Sequence, residues 1–273
     1  MRVSKLKPLA AAAAIFALCG APAHAASITV AVAPTAAGAV TDIVSDFLAA
    51  FSTAGYSVSV NVVPDDETKT AIIAGAAPVP DLFLAQSYVA PLELAGKYPN
   101  LVSGNVFPYA KDTLVLYSSA GKNVDISAGL PARGLQRFAM PDPANGDPYG
   151  VAAVQVLKDT YRYAEARGLV LKVDDVASSY AAVEFVDSPY GFTGKSQICT
   201  AVTGTEEFEP GSFFHAYDLK DSATPIDIVL AGVKIKNDRA AEDEAELTAF
   251  VKYLTGDGAI NFTQHCFKLP SAP

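Results

Sequence analysis

The stretch that most constrains this chain is Ile28 to Phe51, ITVAVAPTAAGAVTDIVSDFLAAF. Ile28 to Val32 is a short β-rich run, and the chain turns at Pro34-Thr35. Beyond the turn, Val40, Ile43, Val44, Phe47, Leu48 and Phe51 recur at the i, i+3, i+4 spacing of one helix face. This is a β–α unit whose helix must lie on a sheet. Thr35 falls at or just before the helix start, where a hydroxyl can cap free backbone N–H groups. Such a start also attracts anions, because unpaired N–H groups and the positive end of the helix dipole meet there.

The same alternation continues. Tyr56 to Val63 reads as a second strand, Pro64-Asp65-Asp66 as a helix start with Asp as cap, and Glu67 to Ala74 as the helix. Asp81 to Ala85 reads as a buried strand and Ser87 to Ala95 as a helix. The order β-α-β-α-β-α implies a parallel α/β sheet. Asp112 to Ser118 is a strand between a polar, Pro-containing approach and a Gly/Asn/Ser-rich loop, and is read as a crossing into a second lobe. There the expected elements are a strand at Phe138 to Met140, a helix from Tyr149 to about Arg167, and a strand at Leu169 to Val173. Asp174-Asp175 is expected to cap a helix from Val176 to Phe185, and Gln197 to Val202 is expected to be the next strand. Thr224 to Val233 reads as the return crossing, Ala240 to Leu254 as the last long helix, and Ala259 to Gln264 as a short one. Two crossings between two α/β lobes describe a hinged clamshell with a cleft between its halves. Lobe 1 takes residues 26–111 and 227–273, and lobe 2 takes 112–226.

Residues 1–25 are set apart from the fold. Arg2, Lys5 and Lys7, then an apolar Leu9 to Leu18, then Ala23-His24-Ala25 read as a secretory signal peptide cleaved before Ala26. The apolar run is too short for a membrane span. Removing its three cations leaves 17 basic against 29 acidic residues, a net charge of −12. With no Lys/Arg run, nucleic-acid binding is not expected, and an acidic surface does not suit anionic lipid. Export makes one disulfide between Cys199 and Cys266 plausible, the alternative being two small buried thiols.

No nucleophile elbow, phosphate loop, H-E-x-x-H or C-x-x-C is present, and His215 and His265 stand without metal-ligand company. No enzyme and no cofactor is therefore expected. What recurs is a polar turn at a helix start: Thr35, Asp65-Asp66, Asp147 to Tyr149, and Asp174 to Val176. Four such starts around one cleft can hold an anion without a basic side chain.

The chain resembles the ModA family, the periplasmic molybdate-binding proteins of ABC transporters. The likeness runs through ITVAVAPTAAGAVTDI, AGAAPVPDLFLAQ, KDTLVLYSSAG, FAMPDPANGDPYGVAAVQVL, DDVASSYAAV, TPIDIVLAG and FVKYLTGDGAINFTQHCFKLP, in order. It implies a two-lobed type II periplasmic binding fold, a monomer that captures a small oxyanion between its lobes, and delivery to a membrane permease. Carried over, the family's first anion-binding hydroxyl falls on Thr35, its second Ser on Asp65 or Asp66, and its backbone donors on Tyr149 and Val176. A contributing Tyr hydroxyl falls near Cys199, and the small position after DLFLA is Gln86. A carboxylate about 4 Å from a dianion costs several kcal/mol at an intermediate dielectric. The expectation is thus a molybdate- or tungstate-like ligand, with a metal cation or small polar organic solute on the same scaffold as the alternative, and a periplasmic enzyme as a third reading. The segment 187–193, DSPYGFT, is read either as a surface loop or as a cleft-side insertion whose aromatics touch something larger.

Overall fold

The computed structural model describes residues 27–186, 188–199, 208–220, 222 and 224–270; the segment expected to be a signal peptide lies outside them. The first half opens with β1 (Ile28–Val32), α1 (Ala37–Ala50), β2 (Val58–Val62), α2 (Asp65–Ala74), β3 (Leu82–Ala85), α3 (Val89–Lys97) and β4 (Val102–Asp112). The second half holds β5 (Leu114–Ser118), β6 (Phe138–Pro141), α4 (Pro148–Asp159), α5 (Tyr163–Ala166), β7 (Val170–Val173), α6 (Val176–Phe185), β8 (Gly191–Gly194), α7 (Lys195–Ile198) and β9 (Phe213–Ala216). The chain then returns to the first half with β10 (Ile228–Ile235), α8 (Ala241–Leu254) and α9 (Ile260–Gln264).

Each half is built on a five-stranded mixed sheet, ordered β2-β1-β3-β10-β4 in the first and β7-β6-β8-β5-β9 in the second. β1 pairs in parallel with both β2 and β3, as the β-α-β-α-β order requires, while β10 runs antiparallel to β3 and β4. Helices cover both faces, so the central strands are apolar throughout. Alternation decides which core each residue joins. Ile28, Val30, Val32, Leu82 and Leu84 pack with Val40, Phe47, Leu247 and Phe250, whereas Ala31, Phe83 and Ala85 pack with Ile72, Ala90 and Leu94. In the second sheet Val115, Tyr117 and Ala139 meet Ala182 and Val183 in the same way.

The crossings lie side by side. Asp112 pairs with Ile228 in the first sheet, and two residues on the Tyr217 amide donates to the Leu114 carbonyl at 3.0 Å in the second. The two halves are also joined by a disulfide between Cys199, after α7, and Cys266, after α9, with the Cα atoms 6.0 Å apart.

Several expected elements differ. The polar, Pro-containing approach to Asp112, for which no strand was expected, forms β4; its pairing with β10 carries two register shifts, which break the alternation that marks a strand. The helix expected from Tyr149 to Arg167 is interrupted at Tyr161, whose φ of 57° no α-helix continues through. Of the strand expected at Gln197 to Val202, Gln197 and Ile198 end α7 and residues 200–202 lie outside the described residues; the described strand is β8, upstream. Asp187 lies outside the described residues, but Tyr190 and Phe192 of that segment are fully buried, packing against Phe138 in the second core. Gly191 makes this possible: a Cβ there would come 3.0 Å from the Ala139 carbonyl oxygen. Gly191 to Thr193 thus lie in the central strand β8, and the segment's aromatics, Tyr190 and Phe192, pack in the second core rather than facing the cleft.

Candidate functional site

The cleft is assembled from helix beginnings. Pro64 to Glu67 at the start of α2, Gly146-Asp147 before α4, and Asp174-Asp175 before α6 border one cavity of about 460 Å³, closed on the other side by Ala33-Pro34 and Gln86-Ser87. The first and second halves each contribute walls; of the four polar turns, those of Asp65-Asp66, Asp147 and Asp174-Asp175 border the cavity, and Thr35 does not.

The amides at these starts are engaged by the chain's own carboxylates. Asp147 accepts from the backbone N–H of Tyr149 and of Gly150, both at 2.9 Å, and Asp175 accepts from Ser178 N–H at 2.7 Å. These are N-caps of the ordinary kind. The expected caps at the other two starts are absent. The residue preceding α2 is Pro64, and Asp65 sits inside the first turn, where its carboxylate accepts from Gln86 N–H at 3.1 Å instead. Asp66 pairs with Lys69 at 3.1 Å. Thr35 lies in a 3-10 turn, Pro34–Ala36, and makes no capping bond; its hydroxyl donates to Gln86 Oε1 at 3.3 Å.

Gln86 is therefore a junction. Its Nε2 donates across the cleft to Asp147 Oδ2 at 3.1 Å. A second bridge runs from Gln197 Nε2 to the Thr35 carbonyl at 3.4 Å. Both α6 and α7 pack on the Thr35 turn. Thr35, Asp65, Gln86 and, through its cap, Tyr149 are thus drawn into one network. Asp65, Asp66 and Gln86 border the cavity itself. Tyr149 and Val176 are fully buried behind it; the Tyr149 hydroxyl donates to Asp112 at 2.7 Å, and the Val176 carbonyl accepts from Thr193. Cys199 corrects the carry-over, because its sulfur is bonded to Cys266 and has no thiol to offer. Asp147, Glu67, Asp174 and Asp175 border the cavity without having been expected as site residues, and Gln197, which bridges to Thr35 from beside it, was not expected either. Gln197 was hidden in a stretch read as strand, and Asp147 was read only as part of a helix-start turn.

The electrostatics of the cavity are acidic. Six carboxylates border it, those of Asp65, Asp66, Glu67, Asp147, Asp174 and Asp175, against the single ammonium of Lys69. Lys69 is already paired with Asp66 and Glu93. Burial pushes the Asp65 carboxyl up to about 7, opposed by the Gln86 amide and reinforced by Asp66 and Asp147. Burial likewise pushes Asp147 up to about 6, opposed by the Gly150 and Tyr149 amides. Behind the cavity Asp112 is buried at the crossing, also raised by burial, with Ser196 and Tyr149 hydroxyls donating to it.

The start of α4 is held close to the preceding strand. A Cβ on Gly150 would lie 2.5 Å from the Pro141 carbonyl oxygen and 2.9 Å from Pro143 N, both backbone atoms that cannot swing aside. Gly150→Ala is expected to destabilise the protein by about 1–3 kcal/mol, the usual cost of overpacking. It also displaces Asp147 from the cleft. Urea unfolding measures the first effect; an unchanged midpoint would show that α4 has room to move.

The fold recurs in solved structures. It superimposes on the Azotobacter vinelandii periplasmic molybdate-binding protein with a TM-score of 0.72 at 21% identity, covering 89% of this chain and 100% of that one. Iron-bound HitA from Pseudomonas aeruginosa gives a TM-score of 0.57 at 16% identity, covering 88% of this chain and 84% of that one. The sulfate-binding protein SubI from Mycobacterium tuberculosis H37Rv gives 0.61 at 13% identity, covering 89% and 86%. No curated protein matches the sequence. The model of one family, described as bacterial extracellular solute-binding protein, matches residues 28–265, and the chain belongs to that family.

Proposed function

We propose that this chain is the solute-capturing component of a periplasmic ABC importer, and that its cleft takes a small organic cation. It acts by binding and lobe closure, without turnover, and hands its solute to a membrane permease. The observation that carries the ligand class is the cavity's lining of six carboxylates around one paired lysine. A dianion there would meet like charges at close range, while a protonated amine would find acceptors on both halves. The volume of about 460 Å³ also suits an organic solute better than a four-oxygen ion. Among the described residues no group of three or more His, Cys, Asp or Glu side chains is arranged to hold a metal ion, so a bare cation is less well supported.

A second reading, a molybdate- or tungstate-like oxyanion, is supported by the likeness to the Azotobacter protein. It requires the raised carboxyls of Asp65 and Asp147 to bind it protonated.

Titration calorimetry separates the two. Putrescine and spermidine are expected to give heat at pH 8 that weakens with salt and falls by tenfold or more at pH 5, as Asp65 and Asp147 take up protons. Heat from molybdate or tungstate alone, stronger at pH 5 than at pH 8, would replace the amine reading with the oxyanion one.

A further inference from the structure

We propose that Gln86 is a positioning residue that ties the two halves together and screens Thr35 from the cavity, so that a solute reaching the cleft competes with its amide for Asp147. The selectivity part of this rests on the cleft being the solute site; the tie between halves does not.

A glutamine amide offers two donor hydrogens and two acceptor lone pairs. Here the three bonds made by Gln86 point to three different elements. Its backbone N–H is held by Asp65 on α2 at 3.1 Å, its Oε1 takes the Thr35 hydroxyl at 3.3 Å, and its Nε2 reaches Asp147 before α4 at 3.1 Å. The first fixes the backbone of Gln86 and the second its side-chain amide, both within its own half. The third is then a bond between halves, made from a fixed base. Thr35 is 6% exposed and does not border the cavity, whereas Gln86 does, so the amide stands between that hydroxyl and any solute. A solute N–H that bonded Asp147 Oδ2 would have to displace Gln86 Nε2 or share the carboxylate with it. That makes the Gln86 amide a standing rival, and its removal changes both what is exposed and how firmly the halves are joined.

Among the described residues the halves are also bridged by the Gln197 bond to the Thr35 carbonyl, by the Tyr149 and Ser196 hydroxyls donating to Asp112 at the crossing, and by the Cys199–Cys266 disulfide. The disulfide must be opened before the tie can be read. Dithiothreitol reduces it to two thiols and is itself oxidised to its cyclic disulfide.

Small-angle X-ray scattering of the reduced, solute-free protein is the test, with circular dichroism to confirm that each variant is folded. Gln86→Ala is expected to raise the radius of gyration above that of the reduced wild type. Gln86→Glu keeps the shape but sets a new carboxylate against Asp147, among Asp65, Asp66, Glu67 and Lys69 from α2 and Asp174 and Asp175 before α6. It is expected to be expanded at pH 8 and to return to the wild-type radius at pH 5, a pH profile that a residue merely filling space would not produce. If both variants match the wild type at both pH values, the tie is refuted. If they expand while no amine binds in calorimetry, the ligand reading fails and the tie stands.

Discussion

Replacing both cysteines, Cys199→Ser with Cys266→Ser, will lower the free energy of unfolding by about 4 kcal/mol and the melting temperature by roughly 10 °C. The bond spans 67 residues of chain, and closing a loop of that length removes much conformational freedom from the unfolded state. Its position adds a second consequence. Cys199 ends α7 in the second half, and Cys266 follows α9 in the first, where the neighbouring Lys268 pairs with Lys111 of β4. The disulfide is therefore a third connection beside the two crossings, close to the Gln197 bridge. Without it, the halves are joined covalently only at their hinge, and the unfolding transition will broaden as they come apart less cooperatively. Urea unfolding of the oxidised and variant proteins, followed by circular dichroism, checks both points. Equal midpoints would mean that the folded state gains nothing from the cross-link.

Asp65→Asn will stabilise the protein by roughly 2–4 kcal/mol at pH 8 and will have no effect near pH 4. The folded Asp65 carboxyl is raised from 3.8 to about 7, so between those values the folded protein holds a proton that the unfolded chain has released. The associated stability is fully present below pH 4 and is lost as the pH rises through 7. Asparagine keeps the oxygen that accepts from Gln86 N–H and carries no charge to lose. Urea unfolding at pH 4, 6 and 8 should show the two proteins diverging with pH; parallel curves would mean that water reaches Asp65 freely. The same substitution should weaken binding of an amine. A site that gives up stability by ionising a buried acid gains it back when a cation arrives, which is what the proposed amine ligand would do here.

Much of the architecture could be read from residue order. The apolar spacing of Val40 to Leu48 belongs to α1, with Phe51 just past its end, the run from Val176 to Phe185 matches α6 residue for residue, and the β-α-β-α-β order dictates parallel pairing of β1 with β2 and β3. These signals are local, carried by side chains a few residues apart. The polar turns at helix starts were equally visible, because proline and aspartate set backbone geometry within a single turn.

Tertiary structure alone decided where the turns point and what they bond. Asp65 looked like a cap and instead serves Gln86, 21 residues away; Gln86 reaches Asp147 across 61 residues, and Cys199 is joined to Cys266 across 67. Strand β4 hid because its bulged pairing with β10 suppresses alternation, and Tyr190 and Phe192 went to the core because Gly191 lets their strand approach Ala139. Periodicity records which face of an element is buried, but charge balance in a cavity depends on residues that meet only when two halves close, and no local pattern encodes that meeting.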